Sequence, residues 1–369
     1  MGVARPGNPS YHCKPAGAIT PVSSNLIFQR TVFLMSKSHV LVTGVAGFIG
    51  SHVAEALLQG GYEVTGLDDL SGGFRENVPA GVRFVEGSII DAPLLEKLFA
   101  NNRFTHVFHL GAYAAEGLSH FIRRFNYTNN IIGSVNLINE SVKHDIGVFV
   151  FTSSIAVYGT NQLPMREDMV PNPEDPYGIA KYAVERDLHA SQQMFGMNYV
   201  IFRPHNVYGE KQNIADKYRN VIGIFMNAVL HDRPMPIFGD GEQTRAFSYI
   251  GDIVPAMVQC IERPECFNEI FNVGADKYYS VNYLAEVVAS AMGVEARVQH
   301  VEARNEVVDA YSDHAKIEQF FGKHETVSLE EGIKRMADWV KRHGPRESQE
   351  FGDIELFKNL PPSWLKRNA

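Results

Sequence analysis

From His39 onward the chain alternates short apolar runs with amphipathic stretches. His39-Val-Leu-Val-Thr43 has the near-continuous aliphatic character that a strand buried on both faces requires. Glu63–Leu67, Val82–Val85, Thr105–Leu110, Val148–Thr152 and Tyr199–Arg203 continue the series. Between them, helical patterns are predicted over Phe48–Gln59, Ala92–Ala100, Asn129–His144 and Tyr177–Phe195. Strands alternating with helices imply βαβ units, and so an α/β fold with a doubly wound parallel sheet. After Arg203 the rhythm changes. An irregular stretch (Asn206–Asn220), a helix near Val221–His231 and a Pro/Gly-rich loop (Arg233–Gly241) precede shorter elements. This predicts a smaller C-terminal α/β lobe on the carboxyl edge of the sheet. The implied division is an extension at 1–36, a sheet domain at 37–205, a second lobe at 206–345 and a tail at 346–369.

Composition changes that picture little. The 369 residues are 45% hydrophobic and 21% charged, as expected of a globular chain with a sizeable core. At ~150 residues per domain this length suits two domains, or one with a lobe. A net charge of -8 argues against nucleic acid as a partner, so an anionic substrate would need local arginines. Cys13, Cys260 and Cys266 make neither a metal spacing nor a disulfide framework, and a reducing, cytoplasmic setting is the simple reading. No apolar run approaches the ~20 residues needed to span a bilayer. The first 36 residues lack Asp and Glu and show no sustained periodicity. A flexible tail or a non-native extension, with Met35 just before the first strand, is favoured over a targeting segment.

The first chemistry lies between the first strand and the first helix, in Thr43-Gly-Val-Ala-Gly-Phe-Ile-Gly50. Gly44 suits the tight turn, Gly47 a close approach of backbone to a pyrophosphate, and Gly50 close helix packing. Phe48 and Ile49 then open a helix whose N-terminus faces the phosphates. Asp68 closes the second predicted strand, where a carboxylate suits the ribose hydroxyls of NAD and repels the 2′-phosphate of NADP; Asp69 is its understudy. The sheet is therefore expected to be a Rossmann domain that binds NAD. Farther on, Tyr177 and Lys181 in Asp175-Pro-Tyr-Gly-Ile-Ala-Lys181 share one face of a helix, a turn apart. A neighbouring ammonium would lower a phenol from its usual value of about 10 and make it an acid/base at neutral pH.

The glycine spacing G-x-x-G-x-x-G resembles that of the extended short-chain dehydrogenase/reductase family, and the resemblance runs over Lys37–Lys316. In that family the tyrosine and lysine occur as Y-G-x-S-K, matched here except for Ala180. The family's S-S-x-x-V-Y-G strand end is matched by Ser153-Ser-Ile-Ala-Val-Tyr-Gly159, which puts Ser154 in the catalytic hydroxyl position. Arg203-Pro-His-Asn-Val-Tyr-Gly209 resembles R-x-x-N-x-Y-G, and the resemblance implies that Asn206 contacts a nucleotide sugar. Phe238-Gly-Asp-Gly-Glu-Gln-Thr-Arg-Ala-Phe247 resembles G-D-G-x-Q-x-R-D-F, which implies that Arg245 holds the substrate diphosphate. A second phosphate arginine is expected at Arg304, with Arg297 as the alternative. The family's Gly-Asp-Ile, whose aspartate meets adenine, reads Gly87-Ser88-Ile89 here. Where some 4-epimerases have a bulky tyrosine this chain has Ala310, leaving room for a larger sugar. Asn130 matches an asparagine that supports the active-site backbone. Tyr113 and Glu116 are secondary candidates, whereas Phe121, Tyr127, His109 and His120 read as packing.

The residues after Ser154 discriminate within the family. Dehydratases resembling this chain carry an Asp-Glu pair there, decarboxylases a glutamate at the position of Ala156, and 3,5-epimerases a cysteine. Ile155 and Ala156 supply none of these. The resemblance therefore implies reversible oxidation at one sugar carbon, as in UDP-glucose 4-epimerases. UDP-sugars are the favoured substrates, with Tyr177, Lys181 and Ser154 catalytic and NAD regenerated. A reductase, a dehydrogenase or a silent NAD-binding scaffold are the alternatives. Relatives also imply a homodimer, built through Asn129–His144 and Tyr177–Phe195.

Overall fold

The computed structural model describes Gly2 and residues 38–160, 163–302, 309–323, 325–347 and 351–364. Six strands form in chain order: β1 (His39–Thr43), β2 (Glu63–Asp68), β3 (Arg83–Glu86), β4 (His106–His109), β5 (Val148–Thr152) and β6 (Asn198–Pro204). They lie in the order 3-2-1-4-5-6, all parallel, with a seventh strand, Glu269–Val273, paired to the outer side of β6. This is the doubly wound order. The turn after β1 and the loop after β4 therefore flank the crevice where the direction of strand order reverses. β5 is buried throughout, which explains its unbroken Val-Phe-Val-Phe-Thr run.

Most predicted elements form within a residue or two of their expected ends. The helix carrying Tyr177 runs Pro176–Phe195, one residue earlier than predicted. Asp175 caps it, its carboxylate accepting from the Tyr177 and Gly178 amides at 2.9 Å each, and Pro176 stands at the first helical position. Gly196 ends it in the left-handed conformation. The helix predicted at Asn129–His144 differs more. It forms over Gly133–Lys143, preceded by a π turn at Thr128–Ile132 and a short helix at Arg123–Tyr127. The wide turn lets the Asn130 side chain grip Tyr113, accepting from its amide at 2.9 Å and donating to its carbonyl at 3.1 Å. Asn130 thus pins the loop after β4.

Beyond β6, short strands and helices build the second lobe. Thr244–Ala246 pairs with Tyr278–Ser280 on one side and with Asp309–Ala310 on the other. Its hydrophobic residues merge with those above the sheet, and Lys37–Ala369 forms one compact unit. The tail segment 351–364 packs Leu360 and Trp364 against Ala115, Leu118 and Ile122. Among the described residues, no helix is long and apolar enough to cross a membrane. Cys260 and Cys266 are buried free thiols.

Candidate active site

The turn after β1 is shaped by glycines. Gly44 has φ 73°, and a Cβ on Gly50 would sit 2.0 Å from the Gly44 carbonyl oxygen, so the helix Phe48–Gln59 starts directly on the turn. Gly50 therefore serves contact with the turn itself. That helix has no acidic residue in its first turn, so its N-terminal partial charge faces the crevice uncompensated. Asp68 ends β2 beside it, half-buried. Its carboxylate accepts from the Ala46 amide at 3.0 Å and the Leu70 amide at 2.8 Å, and burial raises its pKa. Asp69 is exposed on the rim of the same cavity, its carboxylate accepting from the Ser71 amide. Gly47, Phe48, Ile49, Ser88 and Ile89 line the same cavity as Asp68.

That cavity, about 950 Å³, extends from the glycine turn across Ser154, Tyr177 and Lys181 to Asn206, Arg245 and Ala310. Its size falls at the upper end of the ~300–1,000 Å³ usual for ligand sites. Ser154 leaves β5 in extended backbone and accepts from the Ala156 amide at 3.1 Å. Its hydroxyl also bonds the Tyr177 phenol, which favours ionisation, yet burial outweighs this and pushes Tyr177 well above the usual phenol range. Lys181 is buried too. Its ammonium donates to the Thr152 carbonyl at 2.8 Å and sits 5.8 Å from the Tyr177 ring centre, and burial brings it down to about 7. The expected lowering of the phenol by Lys181 is thus not seen: the ammonium is committed to the strand end, and desolvation dominates both groups. His109 lies beneath, fully buried between the Thr43 and Ser134 hydroxyls at 2.8 Å each. Burial, reinforced by the Lys181 charge, lowers it to about 3. His109 is a neutral packing residue, as its place inside a strand suggests.

On the far side, Asn206 has φ 40° and donates to the Ala246 carbonyl at 3.0 Å. Arg245 lies in register with Tyr279 on one side and Ala310 on the other. Ala310 is buried, and Tyr311 beside it stacks on Tyr278. Arg304 lies outside the described residues. Arg297 pairs instead with Asp232 on the surface and is no part of the cavity wall.

Several lining residues carried no sequence signal. Arg219 and Lys217, from the stretch read only as irregular, join the wall. The Arg219 guanidinium bonds Asp216 at 2.5 Å and lies 5.0 Å from the Tyr113 ring centre. Tyr113 and Glu116 line the cavity as well. His120, read as packing, is exposed and borders it, because the Glu116–Ser119 turn faces the crevice. Trp364 reaches the wall from the tail, edge-on to Tyr218. Only the short apolar spacing of the tail could have hinted at this.

Comparison with known proteins agrees with this geometry. The NAD dependent epimerase/dehydratase family matches residues 40–274. A putative UDP-glucose 4-epimerase of Methanocaldococcus jannaschii is 36% identical over 307 residues, covering 82% of this chain and 99% of the relative. A crystal structure of UDP-glucose 4-epimerase with UDP-glucose from Thermotoga maritima superposes with TM-score 0.79 at 35% identity, covering 83% and 99% of the two chains. UDP-glucuronic acid 4-epimerase from Bacillus cereus, solved with UDP-glucuronic acid and NAD, gives 0.76 at 29% identity over 83% and 99%. With the dinucleotide turn, the Ser154–Tyr177 pair and the parallel sheet all in place, the chain belongs to the NAD dependent epimerase/dehydratase family.

Proposed function

We propose that this protein inverts C4 of a UDP-sugar through a transient 4-keto sugar, with Tyr177 as acid and base. The observation that carries the reading is the hydrogen-bonded Ser154–Tyr177 pair. It opens onto a cavity shared by the glycine turn and by Arg245 and Ala310, while Ile155 and Ala156 line the same wall without a further acid or base. Relatives named for UDP-glucose and UDP-glucuronate 4-epimerisation support the substrate class.

The cofactor fits the residues present. The Gly44–Gly50 cradle has no room for a side chain at Gly50, the helix N-terminus is uncompensated, and Asp68 lines the same cavity with a carboxylate suited to ribose hydroxyls. The buried Thr152 hydroxyl, on the cavity wall, finds no hydrogen-bond partner among the described residues. When bound, NAD supplies the redox step, oxidising C4 and reducing it again. The protein does the rest. Tyr177 must first ionise, losing its own proton to solvent. As phenolate it takes the proton of the 4-hydroxyl and returns it once the sugar has turned over, and Ser154 holds that hydroxyl against it. Lys181, anchored on the Thr152 carbonyl, orients the nicotinamide ribose. Arg245 and Asn206 anchor the nucleotide diphosphate sugar, leaving the hexose free to rotate beside Ala310.

A direct test is to purify the protein, release and quantify bound NAD, and follow UDP-glucose, UDP-GlcNAc and UDP-glucuronate by NMR. C4 inversion without net NADH is expected. Stoichiometric NADH would make the protein a dehydrogenase instead. We also infer a homodimer, because Ile132 and Ile179 remain exposed on the turn Thr128–Ile132 and the helix Pro176–Phe195, and a cytoplasmic setting, because Cys260 and Cys266 are free thiols. A mass of one chain by light scattering would sink the dimer.

A further inference from the structure

Behind the strand that carries Arg245 lies a line of titratable groups with no part in the chemistry above. His205 and Asn206 follow β6, and both donate to the Ala246 carbonyl, His205 through Nδ1 at 3.3 Å. His205 Nε2 lies 3.2 Å from His314 Nε2. His314 Nδ1 in turn lies 2.6 Å from the Asp276 carboxylate. The two rings are within 20° of one plane with centroids 5.3 Å apart, about 2 Å more than the N–N distance. They therefore meet edge to edge, in the geometry of a ring N–H pointing at a ring lone pair. Both are buried, at 2% and 6% exposure, whereas Asp276 reaches solvent.

The protons can be counted. A carbonyl at one end and a carboxylate at the other are acceptors only, so both Nδ1 atoms must carry hydrogen. The contact between the two Nε2 atoms needs one more. Three protons on two imidazoles leave a single positive charge, set against Asp276. The competing arrangement has two neutral rings, with the Ser312 hydroxyl, 3.1 Å away, donating to His314 Nε2. It would oppose two buried lone pairs at 3.2 Å, which is costly in a low dielectric. Besides these groups, among the described residues Lys323 adds a charge acting on Asp276.

The relay joins three segments: the end of β6, the loop after Glu269–Val273, and the link from Asp309–Ala310 to the helix Ala315–Phe321. A Cβ on Gly274 would lie 2.2 Å from His205 Nε2, so the loop closes tightly over the pair. Ser312 bridges to Met165, another residue of the cavity wall.

We propose that His205, His314 and Asp276 form a positioning relay, carrying one proton more than two neutral imidazoles, that holds the Arg245 strand in register for a nucleotide diphosphate. This rests on the reading of Arg245 as a diphosphate ligand. His314 faces the Asp276 carboxylate at 2.6 Å whereas His205 faces only a neutral carbonyl, so the extra charge is placed on His314.

The test has two arms on the NAD-loaded protein. In the first, histidine-selective ¹⁵N NMR at pH 7, assigned with His314→Gln and His205→Gln, should show His314 as imidazolium and His205 neutral with hydrogen on Nδ1. A neutral His314 overturns the relay, and because this arm reads the wild-type chain it does not depend on a variant folding. In the second, calorimetric titration with UDP should show His314→Ala weakened by about tenfold or more, as misplacement of a binding group by a fraction of an ångström entails. Bound NAD should be unchanged, and His314→Gln, whose amide can still donate to His205, should recover part of the affinity. Wild-type affinity in His314→Ala, or no recovery in His314→Gln, overturns the positioning role. A wild-type protein that ignores UDP overturns the diphosphate reading of Arg245 itself, a separate failure, since the spectrum still decides the charge on the pair.

Discussion

Lys181 and Tyr177 share a helix face one turn apart, yet the Lys181 ammonium is bonded to the Thr152 carbonyl at 2.8 Å and not to the phenol. Buried there, it sits near 7, against 10.5 in an unfolded chain. Between those values the unfolded state holds a proton that the folded state does not, so this group makes stability rise as pH increases from about 7 to 10.5. Below 7 both states are protonated and the penalty for burying the charge is complete. Each unit of difference corresponds to about 1.4 kcal/mol, so the whole effect reaches a few kcal/mol. In NAD-free protein, Lys181→Met should be more stable than wild type at pH 7, with the gap closing toward pH 10. Thermal melts across that range measure it, and a gap independent of pH would show that Lys181 is not buried charged.

Tyr177 is held as a neutral phenol by burial, with the Ser154 hydroxyl as its hydrogen-bond partner. If it is the acid and base, Tyr177→Phe should lower turnover by about 10²–10⁴-fold, the usual contribution of positioned proton transfer. Ser154→Ala should cost less, because water can replace its hydroxyl. Both variants should keep bound NAD, since neither touches the glycine turn. Full turnover in Tyr177→Phe would end the assignment.

Gly50→Ala should act on the cofactor instead. Its Cβ would fall 2.0 Å from the Gly44 oxygen, a backbone atom that cannot yield without opening the turn. The expected outcome is protein purified without detectable NAD and a lowered melting temperature. Gly61→Ala offers no useful control, because φ 84° there brings strain of its own. The better control is Glu55→Ala on the same helix, which removes only the partly exposed ion pair to Lys211 and should keep NAD. Loss of NAD in both variants would mean that the helix, and not the turn, is what the substitution disturbs.

Beneath the Ser153–Ser154 strand end, Arg203 and Glu185 form a fully buried two-pronged pair at 2.9 and 2.5 Å. Glu185 also accepts from the Ser153 hydroxyl at 2.5 Å, and Arg203 donates to the Tyr158 hydroxyl at 2.7 Å. Glu185→Ala leaves a buried guanidinium without its carboxylate and should cost about 3–5 kcal/mol in urea unfolding. The exposed Lys334–Asp338 pair is a fair contrast: Lys334→Ala should change stability by less than about 1 kcal/mol. Equal losses in the two variants would contradict the burial argument.

The strands and the dinucleotide turn were readable because period and glycine placement encode them locally. Asp175, Pro176 and Gly196 likewise mark the Tyr177 helix by their own backbone chemistry. What could not be read depends on contacts distant in sequence. Lys181 is diverted to a strand end 29 residues earlier, and burial, which no local pattern announces, sets the phenol instead. Arg219 enters the cavity wall from a loop without periodicity, and Trp364 from a tail that matches no motif. His205 stands at an unspecified position of the arginine–asparagine motif, and its contact with His314, 109 residues away, exists only in the fold.

Ala310 offers the sharpest handle on sugar choice. It is buried on the cavity wall, in register with Arg245, so a ligand anchored by that arginine would place its hexose within reach of the Ala310 methyl group. A tyrosine there would project a ring into the space where a 2-acetamido group must turn when the keto sugar flips. Ala310→Tyr should therefore lower kcat/KM for UDP-GlcNAc by about 10–200-fold, the range that steric fit in a pocket supplies, while UDP-glucose changes little. The check is competition between the two sugars followed by NMR, which reads the ratio of kcat/KM directly. Equal loss for both would mean that the introduced ring disturbs the Arg245 strand and not the sugar pocket, and UDP binding by calorimetry separates the two: only a displaced strand weakens UDP.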